Sequence, residues 1–358
     1  MAASTLSTFD GLLKERYIDS DRVEVLTFPE NVLLGMLEKR GDTDMVGDQM
    51  PIPIITANPQ GVGATLAAAQ AGATALATNK FITTAGDYSG VVDIGDKVLA
   101  ASRKNVGAFL ENKVSEIDGL YETAGESLSL YAWGNGGQAL GQILSLSTND
   151  FTLTNATDIG NFEIGMTLVA SSRDGSTSTD ALRDSGDSTT LASINRATGA
   201  GSLASAAAIS GLAVGDYLFR KSDFFGDQGT IVMKGVQAFI AATDAPPALW
   251  GISAATRALD PQRYAGCRID PSLLPGLSYE ARIKKLFSQM QSRFKAKNPT
   301  SVFMNPEDFD VLETNMAVKG VRPLEDESTQ FGYTKIDVMT SSGRIPVYCD
   351  RHCPSGTA

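Results

Sequence analysis

The sequence predicts an α+β fold, and three stretches carry that prediction. Between Asp96 and Trp133 apolar residues recur every three or four positions, at Val106, Leu110, Val114, Ile117, Tyr121, Ala124, Leu128 and Tyr131, which marks one face of a helix. Residues 141–226 turn Ser/Thr-rich and break into short pieces that read as a small β module. Residues 278–349 set an amphipathic helix, a short strand, a second helix and a hairpin in series.

Taken in order, the first 47 residues mix short apolar groups, such as Leu12, Leu13 and Val32 to Leu34, with charge and Gly, and predict an extended arm with one or two short helices. Residues 48–94 predict a long two-stranded excursion. Pro51 and Pro53 lie in its first strand, and proline is tolerated there only where its missing N–H is not needed, as on an edge. Asn58, Pro59, Gly61 and Gly63 form a turn cluster, and Lys80–Thr84 and Tyr88–Ile94 read as returning strands. A lone hairpin is marginal, so this one and the arm are expected to bury their apolar surface on neighbouring subunits and not on their own chain.

The helix over 96–133 would be capped by Asp96 and run roughly 55 Å at 1.5 Å per residue. Gly107, Gly119 and Gly125 inside it imply close backbone packing or a bend, and Gly134, Gly136 and Gly137 stop it. In the β module, strands are expected at Phe151–Thr154, Met166–Ala170, Thr189–Ile194 and Tyr217–Arg220. Asn161–Met166 and Gly211–Asp216 share the pattern apolar, x, apolar, Gly and mark two related turns, on a match too short to establish a repeat. Arg173–Ser188 is polar and reads as an exposed loop. Towards the C-terminus a helix starts at Ser278 with Ile283, Leu286, Phe287, Met290 and Phe294 inward, and Thr300–Met304 is a strand. Asn305-Pro306-Glu307-Asp308 is a helix start, with a cap, a first-turn proline and acids at the positive dipole end. Phe309, Leu312 and Met316 form that helix's inner side, and Ile336–Met339 and Ile345–Cys349 read as a hairpin.

This order resembles the capsid fold shared by tailed phages, herpesviruses and encapsulin-type nanocompartments. Asn298–Leu312 resembles the family's axial-domain segment, and Asp337–Ala358 its closing peripheral strands. The resemblance implies an N-terminal arm (1–47), an extended loop (48–94), a peripheral domain with a spine helix (95–140 and 335–358), an inserted β module (141–228) and an axial domain (229–334). It further implies a major capsid protein, a structural protein and not an enzyme, that self-assembles through pentamers and hexamers into an icosahedral shell. That shell would enclose double-stranded DNA without sequence-specific binding, with scaffolding, portal and decoration proteins as further partners. Assembly would occur in the host cytoplasm and the product would be the virion capsid. A further strand is implied after Ala358. Two other readings are a bacterial nanocompartment shell and a β-rich phage tail or binding protein.

Composition agrees with a folded chain and narrows its partners. Hydrophobic residues are 42% and charged ones 20% of 358. The net charge of −11 disfavours tight DNA binding, which needs clustered Lys and Arg. No apolar stretch reaches the length of a membrane span. Cys267, Cys349 and Cys353 give no disulfide framework.

Each chemical motif has a plainer reading. Gly134-x-Gly136-x-x-Ala139, with Asp158 downstream, matches a dinucleotide fingerprint superficially but follows a helix, where the fingerprint needs a strand. Cys349, His352 and Cys353, even with Cys267, lack the paired spacing of structural zinc. One histidine and no nucleophile elbow leave hydrolase chemistry unsupported. Asp174, Asp180, Asp184 and Asp187 lack a Ca²⁺-loop spacing and read as a solvated loop. The basic face of Arg282, Lys284, Lys285, Arg293, Lys295 and Lys297 reads as a solvated or subunit-contacting helix face. Lys80 lies in the loop where some family members crosslink a lysine to an asparagine. No catalytic residue, cofactor or metal site is predicted.

Overall fold

The computed structural model describes residues 32–37, 49–84, 88–92, 112–177, 179–221, 223–224, 233–240, 246–270, 274–294, 299–318, 336–340 and 343–356. Most of the expected arm, Asp96, Val106, Leu110, Lys295 and Lys297 lie outside them. The described residues form an α+β structure, and no helix among them is long and apolar enough to cross a membrane.

From the arm, α1 (Val32–Met36) buries Leu33. β1 (Gln49–Ala57) and β2 (Ala77–Thr84) pair antiparallel, with Ile52 opposite Phe81 and Pro51 opposite Ile82. Between them the short α2 (Leu66–Ala71) is capped by Thr65, whose hydroxyl accepts from the Ala68 N–H. The expectation that this hairpin spares its own chain is corrected at its base. Phe81 is buried with Ile252 and Tyr264, meets Phe239 and Trp250 edge to face, and the Ile82 N–H donates to the Trp250 carbonyl at 2.8 Å. The far part stays uncovered, with Ile55, Val62, Leu66 and Leu76 exposed, as does the face of β1 that carries Pro51 and Pro53. Residues 88–92 carry no strand, another correction. There Gly90 lies against Leu120, so close that a Cβ would sit 2.8 Å from a leucine methyl.

α3 (Asn112–Trp133) has 22 residues, about 33 Å of helix. Its buried face matches the expected one only in part, with Tyr131 buried and Ile117, Ala124 and Leu128 half-buried. Tyr121 is 75% exposed, Gly119 faces open space, and the inward residues near the end are Ser127, Ser129, Tyr131, Ala132 and Trp133. The two serines tolerate burial because their hydroxyls donate to carbonyls one turn back, on Thr123 and Gly125. Gly134 ends the helix, its N–H donating to Leu130 and Tyr131.

β3 (Gly141–Ser147), β4 (Asp150–Leu153), β5 (Thr167–Ser171), β6 (Thr189–Asn195), β7 (Ala200–Leu203) and β8 (Tyr217–Arg220) close a barrel in the order β3-β4-β7-β6-β5-β8. Its interior is filled by Ile143, Phe151, Phe162, Leu168, Leu191, Leu203, Ile209 and Leu218. The barrel is an internal duplicate with a pseudo-two-fold axis. β3-β4-β5 corresponds to β6-β7-β8, so that Ile143 matches Leu191, Phe151 matches Gly201 and Val169 matches Phe219. At the axis, matched residues pair with each other, Phe151 with Gly201 and Val169 with Phe219. Both β3–β4 and β6–β7 shift register at the matched point, between Ile143 and Ser145 and between Leu191 and Ser193. The two related turns are equivalent: the Gly215 N–H donates to Ile143 and the Gly165 N–H to Leu191, at 2.9 and 2.8 Å, and both glycines have positive φ.

The polar loop between the halves is not simply solvated. Asp180 is buried, accepting from the Thr177 N–H, and the Ser171 hydroxyl donates to the Ala181 carbonyl. Arg183 forks onto the buried Asp216 at 3.0 and 2.7 Å. The loop has to fold back because it carries the chain from β5 round to β6, its neighbour in the barrel.

After the barrel come the short helices α4 (Val236–Phe239), α5 (Ala254–Leu259) and α6 (Pro261–Tyr264). α7 (Tyr279–Ser292) is capped by Ser278, β9 (Val302–Met304) follows, and Asn305 starts α8 (Pro306–Val318) by accepting from the Glu307 N–H at 3.1 Å. β10 (Ile336–Thr340) and β11 (Gly343–Cys349) form a hairpin, and β9 adds parallel to β11. Ile283, Phe287, Met304, Leu312, Val338 and Val347 share one core. The sheet thus joins segments that the sequence reading had divided between peripheral and axial units.

Candidate functional site

A cavity of about 310 Å³ opens where three segments meet: the loop 134–140 after α3, the turn 154–161 of the first barrel half, and the turn 351–354 after β11. It gathers pieces of two motifs that are far apart in sequence, Gly134, Gly136, Ala139 and Asp158 from one and His352 and Cys353 from the other.

The loop is built by side chains closing on their own backbone. The Asn135 carbonyl oxygen accepts from the Gly137 N–H at 2.9 Å, while its amide donates to Asp174 at 2.8 Å. Gly137 is required, because a Cβ there would fall 1.9 Å from the Asp174 carbonyl oxygen. Gln138 takes a left-handed φ of 65°. It is 3% exposed, and neither atom of its amide has a partner among the described residues. A buried unpartnered polar group costs about 1–3 kcal/mol. The glycines therefore serve a helix stop that leads into β3, the reverse of a strand-to-helix phosphate loop.

The C-terminal wall is held by Asp350, whose carboxylate accepts from the Leu33 N–H, the Trp133 indole and the His352 N–H. Burial, with Arg351 beside it, lowers the His352 imidazole to about 4. Arg351 itself donates to Glu126 at 2.9 Å. Cys353 is buried with Trp133 whereas Cys349 is exposed on β11, and among the described residues no three His, Cys, Asp or Glu groups are placed to hold a metal.

On the barrel wall, burial raises the Asp158 carboxyl to about 6, and among the described residues only Asn155 donates to it, at 3.4 Å. Nearby, the Tyr131 phenol donates to Asp223, and burial together with that carboxylate pushes the phenol far above its ordinary range.

The remaining sequence candidates disperse. Asp174 and Asp180 cap turns of their own loop, Lys284 pairs with Glu280, and Arg282 stacks on the Tyr279 ring. Sequence reasoning missed Asn135 and Gln138 as cavity residues. Their only signal was membership of a glycine cluster, and the Asp174 carboxylate that holds Asn135 lies 39 residues away in sequence. No family model, curated protein or solved structure matches the chain.

Proposed function

We propose that the chain is the major capsid protein of a tailed phage, a shell subunit that assembles with copies of itself around double-stranded DNA. The observation that carries this reading is the β1–β2 hairpin. Its base is anchored by Phe81, while Ile55, Val62, Leu66 and Leu76 stand in solvent along its far part. A projecting arm with four exposed apolar residues has lost little by folding and gains only by meeting another surface. Repetition of such a contact around a closed shell makes a weak contact strong. The order of hairpin, helix, separate barrel, and helix–strand–helix against a closing hairpin supports the same reading. Negative-stain electron microscopy of the purified protein is the test. Closed shells of uniform diameter are expected, and a monodisperse monomer under all assembly conditions would refute it.

A further inference from the structure

The two barrel halves are an internal control for what the fold itself requires. The turns that follow β4 and β7 have the same backbone bonds. Asp158 and Ala208 each donate their N–H three residues back, and so do Phe162 and Leu212. Yet Thr157, Asp158 and Asn161 in the first turn correspond to Ala207, Ala208 and Gly211 in the second. In the second half these positions are exposed and carry the smallest side chains, whereas in the first they are partly buried on the cavity and polar. Burial alone would distribute them the other way round. The fold can make this turn with alanine, so Asp158 is not there for the turn.

Asn161 is spent internally, its amide donating to the Leu140 carbonyl at 3.0 Å. Among the described residues Asp158 has only the 3.4 Å contact from Asn155, which leaves its carboxylate the least satisfied charged group on the wall. Gln138 borders the same cavity with its buried amide unpartnered. We propose that this cavity binds a primary ammonium group on a short aliphatic stem, with the Asp158 carboxylate as its acceptor.

The surroundings favour a cation. Arg351 is drawn away to Glu126, and His352 is neutral above about 4. Asp174 adds a second carboxylate, already holding Asn135 and Ser176. Tyr131, which donates to Asp223, and Tyr217 and Cys353 complete the titratable groups on the wall among the described residues, and Lys234 packs its stem on Gly136 just outside. Trp133, Leu130 and Met233 supply apolar surface for a stem. The volume lies at the small end of ligand sites and suits a few heavy atoms. A free alkylamine and a lysine side chain of another copy have this same chemistry.

The test is calorimetric titration of the full chain with n-butylammonium, and with n-butanol as the uncharged control. Saturable binding of the amine at pH 7.5 is expected. Binding should be about tenfold weaker at pH 5.0, because a carboxyl with a pKa near 6 is then only about one-tenth ionised. It should be lost in Asp158→Ala, which installs the residue found at the matched position, and in Asp158→Asn, which keeps the side-chain shape. Light scattering during the titration distinguishes the sources: dissociation of oligomers indicates a lysine from a second copy, and an unchanged size a free amine. Absence of saturable binding, equal binding of butanol, or undiminished binding by both variants would overturn the proposal.

Discussion

Where matched residues of a duplicate meet on its axis, they compete for the same space. Phe151 and Gly201 are such a pair, directly opposite in β4 and β7. The Phe151 ring is 1% exposed, and a Cβ on Gly201 would lie 2.6 Å from its Cζ and 2.9 Å from its Cε1. The ring cannot retreat, because Phe162 stands 6.1 Å away, centroid to centroid, and Leu191 lies 3.4 Å from that same Cβ. Gly201→Ala should therefore cost the barrel about 1–3 kcal/mol through overpacking, against about 0.5–1 kcal/mol regained because alanine restricts the unfolded chain more than glycine. The net is a loss of about 1 kcal/mol at mid-range, between bounds of about 0 and 2.5 kcal/mol. Phe151→Leu alone should also destabilise, by leaving a cavity. Combined with Gly201→Ala it should do so by clearly less than the sum, since the smaller side chain makes room for the methyl. Native-state hydrogen exchange at β4 and β7 reads the barrel separately from the rest of the chain. Additive effects of the two substitutions, or greater protection in Gly201→Ala, would refute the reasoning.

Deleting Asn58–Thr78 should leave the circular dichroism of the body nearly unchanged and abolish closed particles seen by electron microscopy, since the base contact through Phe81 remains and the exposed tip is gone. Asp216 corresponds to Met166, so Asp216→Met should change stability by only about 1 kcal/mol in a denaturant titration, whereas Arg183→Ala strands a buried carboxylate and should cost about 3–5 kcal/mol. Asp158 and His352 should oppose each other in acid. The raised carboxyl makes the native state bind more protons than the unfolded state between about 4 and 6, so its contribution rises as pH falls. The lowered imidazole makes the unfolded state bind more between about 4 and 6.5, so its contribution is lost as pH falls. Melting temperatures should accordingly drop more steeply on acidification in Asp158→Asn than in the wild type, and less steeply in His352→Gln.

Where local chemistry decides the conformation, the sequence was a good guide. Asn305-Pro306 starts α8 because a side-chain acceptor and a residue without an N–H suit a first turn, and Ser278 caps α7 for the same reason. The strand segments of the barrel were legible from alternation. Their pairing was not, because the order β3-β4-β7-β6-β5-β8 interleaves two halves that resemble each other in register and hardly at all in side chains. Phe151 matches glycine and Asp158 matches alanine, so only the two turns kept a visible trace. The face of α3 was legible only in part, at Tyr131, because a periodicity count treats Ser127 and Ser129 as outward, whereas back-bonded serines bury readily. The cavity was least legible of all. Its three walls come from segments around 134–140, 154–161 and 351–354, and no spacing rule links them.

The way the barrel joins the rest of the chain explains how such a module is accommodated, and it yields a last prediction. Gly141 at its start pairs with Leu218 near its end, and the Leu140 N–H donates to the Leu218 carbonyl at 2.8 Å. Continuing this antiparallel register by one step sets Leu140 opposite Phe219, so the incoming and outgoing chains leave side by side. A host fold sees only two adjacent points, about 5 Å apart as in any antiparallel pair. Replacing residues 141–218 by Asn-Gly should therefore close the gap as a two-residue hairpin turn without moving either end. The core of Ile283, Phe287, Met304, Leu312, Val338 and Val347 makes no use of barrel residues and should keep its hydrogen-exchange protection. The end of α3 should lose some, because Leu130 packs against the barrel core and Tyr131 lines the cavity that the first barrel half walls. Loss of protection throughout β9–β11 would show that the barrel is part of one cooperative unit, and would count against its reading as an inserted module.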